Sequence, residues 1–260
     1  MKTADCLRTE IDGPIGWLTV DRPDSRGAMT RAMWEAMPEK LEFLAASEGV
    51  RLVVLRGTGG YFIAGADITE FKEFRSDPVL ARKYDEGSTG TLDALAKLSV
   101  PSVAMIDGPC VGGGSLIAFG CDMRVISERG FMAIPAGRLG LAYPHHGLER
   151  LVAVVGEARA LDLLLTGRRI GGPEALSLGL VQRCFANDAL ESSTRELAAQ
   201  ISRMAPKSLR FSRLAARRKL VGFLTPEEIQ ALTADCFASE DYQEGVTAFL
   251  EKRDPVFRGR

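Results

Sequence analysis

Two short glycine-bearing stretches are places where backbone, rather than side chains, could do chemistry. They are Tyr61-Phe62-Ile63-Ala64-Gly65-Ala66-Asp67-Ile68 and Asp107-Gly108-Pro109-Cys110-Val111-Gly112-Gly113-Gly114-Ser115-Leu116. Each follows an apolar run that reads as a buried strand and leads into a helical pattern. Such turns leave free N–H groups at a helix start, where they attract an anion or a developing oxyanion. Two of them in one domain could each supply one N–H to a single carbonyl oxygen. Side chains able to move protons cluster elsewhere. The segment 138–150 holds both histidines, His145 and His146, with Tyr143 and Glu149. Histidine is the side chain best suited to proton transfer near neutral pH. Neighbours in a regular element point in different directions, so at most one of the pair faces a common pocket. His145 is the candidate, and loop packing is the alternative for each. Asp67 reads as an acid that caps or holds the first glycine loop, and Asp122 as a buried structural acid.

The elements that must position these groups follow from patterning. Runs at 7–12 and 15–21 flank Gly13-Pro14 and predict a hairpin. Thr30 caps a helix reaching about residue 47, with Met33, Met37, Leu41 and Leu44 at helical spacing. Pro38, inside it, is expected to kink or divide it. A strand at 52–55 feeds the first glycine stretch. Residues 71–80 read as an irregular, mobile connection, and 81–98 as a helix interrupted at Gly87 and Gly90. A strand at 101–106 feeds the glycine triplet, after which Leu116, Ile117 and Phe119 mark the core side of a short helix. Next come a strand at 121–126, a mixed segment at 131–139, helices at 147–155 and 157–165, a short helix at 173–178 and a strand at 180–185. Four helices then follow, at 188–204, 206–221, 226–239 and 243–252. Lys207, Arg210, Arg213 and Arg217 share one face, read as solvated or intersubunit, with phosphate contact as the alternative. Strands alternating with helices, then helices only, predict an α/β fold with a helical C-terminal part.

Composition narrows the class. The 260 residues suffice for one large α/β domain with an appendage. Net charge is −1, from 33 Lys+Arg against 34 Asp+Glu, which gives no reason to expect a nucleic-acid partner. The 5 cysteines are scattered and odd in number, against a disulfide framework and against a metal site. No apolar run approaches the ~20 residues of a membrane helix, and the N-terminus lacks a signal-peptide pattern. The expectation is a cytoplasmic protein with no membrane contact.

With these elements placed, the ordered motifs resemble the crotonase (enoyl-CoA hydratase/isomerase) superfamily. The residues that carry the resemblance are Ala64-Gly65-Ala66-Asp67-Ile68, Gly112-Gly113-Gly114, Asp21-Arg22-Pro23, Leu165-Thr166-Gly167, Gly179-Leu180-Val181, Glu244-Gly245 and Phe249-Leu250-Glu251-Lys252-Arg253. The resemblance implies a spiral of ββα units over 1–200 that binds an acyl-CoA thioester. It also implies a helical region over 201–260 that assembles a homotrimer or a hexamer, a dimer of trimers. Coenzyme A would arrive as part of the substrate, with no separate cofactor. The backbone N–H groups of Ala66 and Gly113 would form an oxyanion hole for the thioester carbonyl. Ala64 would face the adenine, with Asp67 and Ile68 beside it. Arg26 would border the phosphates, and Phe249 with Lys252 would reach the nucleotide of the same or a neighbouring subunit.

The chain departs from the hydratase pattern where the chemistry is done. Two glutamates stand beside the oxyanion hole in hydratases of the family, because adding water across a double bond needs both a base and an acid. Here those positions are Leu116 and Ala136. The segment 138–151 is similar instead to methylmalonyl-CoA decarboxylase of the same superfamily, with Tyr143 at the acyl group. Loss of CO2 forms an enolate without a base, which suits a pocket without acids. The sequence therefore carries three readings. The first is an enoyl-CoA hydratase/isomerase-like lyase working through a stabilised enolate, with Tyr143 and His145 as candidate side chains. The others are a decarboxylase of a malonyl-type thioester and a catalytically silent thioester binder.

Overall fold

The computed structural model describes residues 3–70, 78–221 and 225–260. Nine strands form two sheets among these residues: a six-stranded sheet in the order β1-β2-β3-β4-β6-β9 and a three-stranded sheet in the order β5-β7-β8. β1 (Leu7–Asp12) and β2 (Ile15–Val20) are the expected hairpin, paired antiparallel. β3 (Leu52–Gly57), β4 (Ser102–Ile106), β6 (Met123–Ser127) and β9 (Arg183–Phe185) extend the sheet in parallel. Successive residues face opposite sides of a strand, and here both sides are covered. Leu18, Val53, Leu55, Ala104, Ile106 and Ile126 enter one core cluster. Trp17, Leu52, Val54, Val103, Met105 and Val125 enter a second. That is why these strands read as unbroken apolar runs.

The chain advances by a repeated unit. After β3, β4 and β6 of the large sheet it passes to the small sheet or its edge and then enters a helix. β3 is followed by Ile63, bridged to Cys110, and then by α2 (Pro78–Lys97). β4 is followed by β5 (Pro109–Val111) and α3 (Gly113–Gly120). β6 is followed by β7 (Phe131–Ala133) and α4 (His145–Val155). α5 (Glu157–Thr166), β8 (Ile170–Gly171) and α6 (Gly172–Ser177) lead to β9. α7 (Leu190–Ser202), α8 (Pro206–Val221), α9 (Pro226–Phe237) and α10 (Glu240–Glu251) complete the helical C-terminal region. No helix among the described residues is long and apolar enough to cross a membrane.

α1 (Arg31–Ala46) starts where Thr30 accepts a hydrogen bond from the Met33 amide. Pro38 lies inside it without dividing it. Proline removes the donor that would serve the carbonyl four residues back, which is Trp34. The Thr91 hydroxyl of α2 donates to that carbonyl at 3.2 Å instead. α2 is likewise unbroken at Gly87 and Gly90. A Cβ on Gly87 would stand 3.1 Å from Trp34 Cβ, so this glycine permits close helix contact rather than ending the helix. The irregular connection expected over 71–80 lies mostly outside the described residues. The basic face of α8 also differs from expectation. Arg213 and Arg217 turn inward to Asp122, at 2.7 and 3.1 Å, and Lys207 pairs with Asp235. Asp122 further accepts from the amide and hydroxyl of Ser102, as a structural acid would.

Candidate active site

The two glycine stretches meet through their backbones. Ile63 bridges Cys110 in parallel, with Ile63 N donating to Pro109 O at 3.2 Å and Val111 N donating to Ile63 O at 3.0 Å. The far end of the first stretch is held by Met29, whose amide donates to Gly65 O and whose carbonyl accepts from Asp67 N, both at 2.8 Å. Gly65 has φ +112°, a region closed to ordinary side chains. Its conformation turns the next peptide towards the glycine triplet. A Cβ built on Gly113 would lie 3.5 Å from Ala66 N. The peptides of Ala66 and Gly113 thus stand side by side, with Gly113 opening α3.

The C-terminal end of α3 is held by cations. Arg124 donates to the carbonyls of Ala118 and Cys121 at 3.2 and 3.1 Å, and Arg217 to Gly120 O at 3.0 Å. Positive charge there complements the negative end of the helix dipole, while the positive end faces the two glycine turns. Arg124 is buried, and burial lowers its pKa to about 10.

A cavity of about 150 Å3 opens over the paired turns. It brings together Ala64, Ala66, Ile68, Gly113, Leu116, Ala136 and Tyr143 of the sequence-derived candidates. Leu116 is buried, and with Ala136, Leu139, Leu141 and Ala142 it gives the cavity an apolar wall. The Tyr143 hydroxyl is enclosed and has no hydrogen-bond partner among the described residues. Burial pushes its pKa far above the usual phenol range, with a smaller contribution from Cys110. Cys110 is itself fully buried, and desolvation raises its thiol to about 12, which removes it as a nucleophile.

Other candidates stand apart. Asp67 does not line the cavity. Its carboxylate pairs with Arg22 at 3.0 Å and accepts from the Thr69 hydroxyl and amide at 2.7 and 3.2 Å. Burial opposes ionisation, but these bonds outweigh it and hold the Asp67 pKa below the usual range. His145 projects from the first turn of α4 with a side chain 83% exposed, 3.3 Å from Glu149. His146 is half-buried, with Nε2 enclosed and without a partner among the described residues. Burial, then the charge of Arg150, lowers its pKa. Arg26 is exposed at the loop tip. Phe249 and Lys252 lie at the C-terminal helices, Phe249 in a separate apolar groove with Phe237, Tyr242, Leu250 and Phe257.

Sequence reasoning missed three cavity residues: Trp34 of α1, and Asp85 and Ser88 of α2. Trp34 is buried, its Nε1 has no partner among the described residues, and its ring edge lies 3.0 Å from where a Gly113 Cβ would be. No local sequence signal marks Asp85 and Ser88, which reach the cavity through the packing of α2 against α1.

Comparison with known proteins agrees with this architecture. The family model described as enoyl-CoA hydratase/isomerase matches residues 10–260. A probable enoyl-CoA hydratase of Bacillus subtilis is 32% identical over 259 residues, covering 98% of this chain and 99% of its own. A short-chain-enoyl-CoA hydratase of Clostridium acetobutylicum is 31% identical, covering 94% of each. The crystal structure of a putative enoyl-CoA hydratase/isomerase family protein from Hyphomonas neptunium superposes with a TM-score of 0.92 at 34% identity, covering 98% of each chain. Matched along nearly its whole length in sequence and in fold, the chain belongs to the enoyl-CoA hydratase/isomerase family of the crotonase superfamily.

Proposed function

We propose that this chain binds an acyl-CoA thioester with its carbonyl oxygen between the N–H groups of Ala66 and Gly113, and reacts it through the enolate. The observation that carries the reading is the side-by-side placement of these two peptides at the floor of an apolar cavity. Forming an enolate moves negative charge onto the thioester oxygen. Donors already in place cost no reorganisation as that charge develops, and removing one such donor typically costs about 10²–10³ in rate. Coenzyme A comes with the substrate, and no further cofactor is required.

Leu116 and Ala136 offer no acid or base, so hydration through a pair of carboxylates at those positions is not the mechanism proposed. The enolate forms either by proton removal with another base or by loss of CO2. The second route is favoured by one observation, the apolar wall around Leu116, Ala136 and Leu141, which would desolvate a departing carboxylate. A cavity of about 150 Å3 suits a short acyl group, since a void of that size accommodates a molecule the size of benzene. The exposed apolar side chains of α9 and α10, among them Phe237, Phe249 and Leu250, support assembly into a trimer or a dimer of trimers.

The test is incubation with crotonyl-CoA and, separately, methylmalonyl-CoA, with products weighed by mass spectrometry. Loss of CO2 from the second establishes the decarboxylating route, and gain of water by the first would contradict it and show hydration by groups other than Leu116 and Ala136. Binding of both without conversion favours a silent thioester binder, and no binding of either refutes the proposal.

A further inference from the structure

The C-terminal end of α3 gathers more buried positive charge than its partners answer. Arg124, Arg150 and Arg213 are buried, and Arg217 is nearly so. Arg124 is served by the carbonyls of Leu180, Ala118 and Cys121. Arg213 is served by Asp122 and by the carbonyls of Leu95, Ala96 and Leu98. The other two are not fully served. Arg217 directs Nη2 to Gly120 O and Asp122, while its Nη1 is enclosed and has no partner among the described residues. Arg150 is 6% exposed and makes neither a hydrogen bond nor an ion pair among the described residues; the charges of Asp93 and Asp122 act on it only from a distance. A guanidinium carries five donors and keeps its charge, and a buried charge is costly unless paired. Helical spacing brings these groups to one place. His146 and Arg150 are one turn apart on α4, as are Arg213 and Arg217 on α8. α4 packs against both α3 and α8. Burial, then the charge of Arg217, lowers the Arg150 pKa to about 10, and the charge of Arg150 acts in the same sense on His146. Arg150 is therefore within electrostatic reach of both, and His146 Nε2 is a further enclosed nitrogen without a partner among the described residues.

We propose that His146, Arg150 and Arg217 form a binding site for one small oxyanion, inorganic phosphate or a free carboxylate, between α4 and α8 at the C-terminal end of α3. Guanidinium forks match the oxygens of such an ion, and charge-assisted bonds of this kind are the strong ones. His146 adds a third donor as its Nε2–H tautomer. The negative charge offsets the excess carried by Arg150 and Arg217. Burial selects the occupant. With Arg150 buried and the Arg217 Nη1 and His146 Nε2 atoms enclosed, a free ion of a few atoms fits the donors, whereas a nucleotide or the side chain of another protein does not reach them. The site lies behind the wall of the acyl cavity. The residue after His146 is Gly147, where a Cβ would stand 2.3 Å from Leu116 Cδ1 and 3.1 Å from Tyr143 Cε1. A bound ion thus fixes, from behind, the helical turn that packs against two cavity residues. The site stands on its own donors and does not depend on the thioester reading.

The experiment is thermal unfolding of the full chain, dialysed into chloride buffer and titrated with inorganic phosphate or, separately, acetate, with chloride holding the ionic strength constant. An ion with a Kd of about 1 mM, present at about 10 mM, shifts the folding equilibrium about elevenfold, which raises Tm by about 3–6 °C in a chain of this size. Phosphate also stabilises proteins by exclusion from their surface, so the readout is the difference between wild type and Arg150→Met. That variant should lose the shift, while substitution of the exposed Arg203 by Gln should keep it. In chloride alone, Arg150→Met should melt at or above the wild-type temperature, since it removes a buried charge that lacks a partner. His146→Leu is the second variant should Arg150→Met fail to fold, and its apparent Kd should weaken about fivefold, the loss of one hydrogen bond. A shift with phosphate alone assigns a tetrahedral oxyanion, and one with acetate alone a carboxylate. Wild-type protein that responds to neither beyond chloride overturns the proposal. So does either variant that responds as wild type does.

Discussion

Substituting Gly114 by alanine tests whether the two glycine turns are locked backbone to backbone. Gly114 is buried in the first turn of α3. A Cβ there would stand 2.0 Å from Ile63 O, 2.9 Å from Ile63 C and 3.0 Å from Ile63 Cβ. The first of these is more than 1 Å inside the ~3.3 Å of ordinary carbon–oxygen contact. The obstacle is main chain, so it cannot be relieved by a rotamer change. It is also fixed, because Ile63 O accepts from Val111 N at 3.0 Å. The start of α3 must therefore retreat from the first loop by about 1 Å. Overpacking of this kind costs about 1–3 kcal/mol, which lowers Tm by roughly 2–12 °C in a chain of this size. The same retreat draws Gly113 N away from Ala66 N, and one misplaced donor costs about 10²–10³ in rate. The assay is a thermal melt alongside turnover of the thioester the wild type converts. Gly137→Ala serves as control, since nothing lies within 4 Å of a Cβ there, and it should match wild type. A Gly114→Ala protein with wild-type Tm and wild-type rate would show that the two turns are not locked backbone to backbone.

Other perturbations probe the frame around the cavity. Thr91→Val removes the hydroxyl that serves the Trp34 carbonyl left without a donor by Pro38, and should cost about 1–3 kcal/mol in denaturant unfolding. Asp122→Ala leaves Arg213 and Arg217, with side chains 5% and 12% exposed, without their carboxylate. Removing one partner from a buried pair typically costs about 3–5 kcal/mol, and chemical denaturation should show a loss of that order. The Asp67 pKa is depressed below its ordinary 3.8, so its contribution is fully present above that pH and is lost as pH falls through the folded value. The stability difference between wild type and Asp67→Asn, measured by urea unfolding from neutral to acid pH, should shrink only below about pH 3.8. A difference constant down to pH 2, or one that shrinks near neutrality, would contradict the assignment.

What the sequence disclosed was governed by local rules. The Gly13-Pro14 hairpin, the Thr30 cap, the apolar strands and the two glycine turns depend on nearest neighbours, and each stands where patterning put it. The misread features depend on partners distant in sequence. Pro38 is accommodated because Thr91, 53 residues later, supplies the missing donor. Gly87 reads as a helix break in isolation, but α1 packs against it through Trp34. Arg213 and Arg217 look like surface charge on a helical wheel until Asp122 is brought beneath them by the sheet. Asp85 was invisible as a site residue for the same reason, since only the packing of α2 against α1 carries it to the cavity. His145 was singled out by residue type, and its geometry turns it to solvent and to Glu149.

The central claim is that the Ala66 and Gly113 amides hold a thioester carbonyl. It is tested most directly by a crystal structure of the protein with a bound acyl-CoA such as hexanoyl-CoA. The thioester oxygen should lie within about 2.7–3.1 Å of both nitrogens, Ala66 N and Gly113 N, the separation expected of working oxyanion donors. Its acyl chain should run along Leu116 and Ala136 towards Asp85. A bound thioester whose carbonyl lies beyond hydrogen-bond reach of either nitrogen, or which occupies a different cavity, would contradict it.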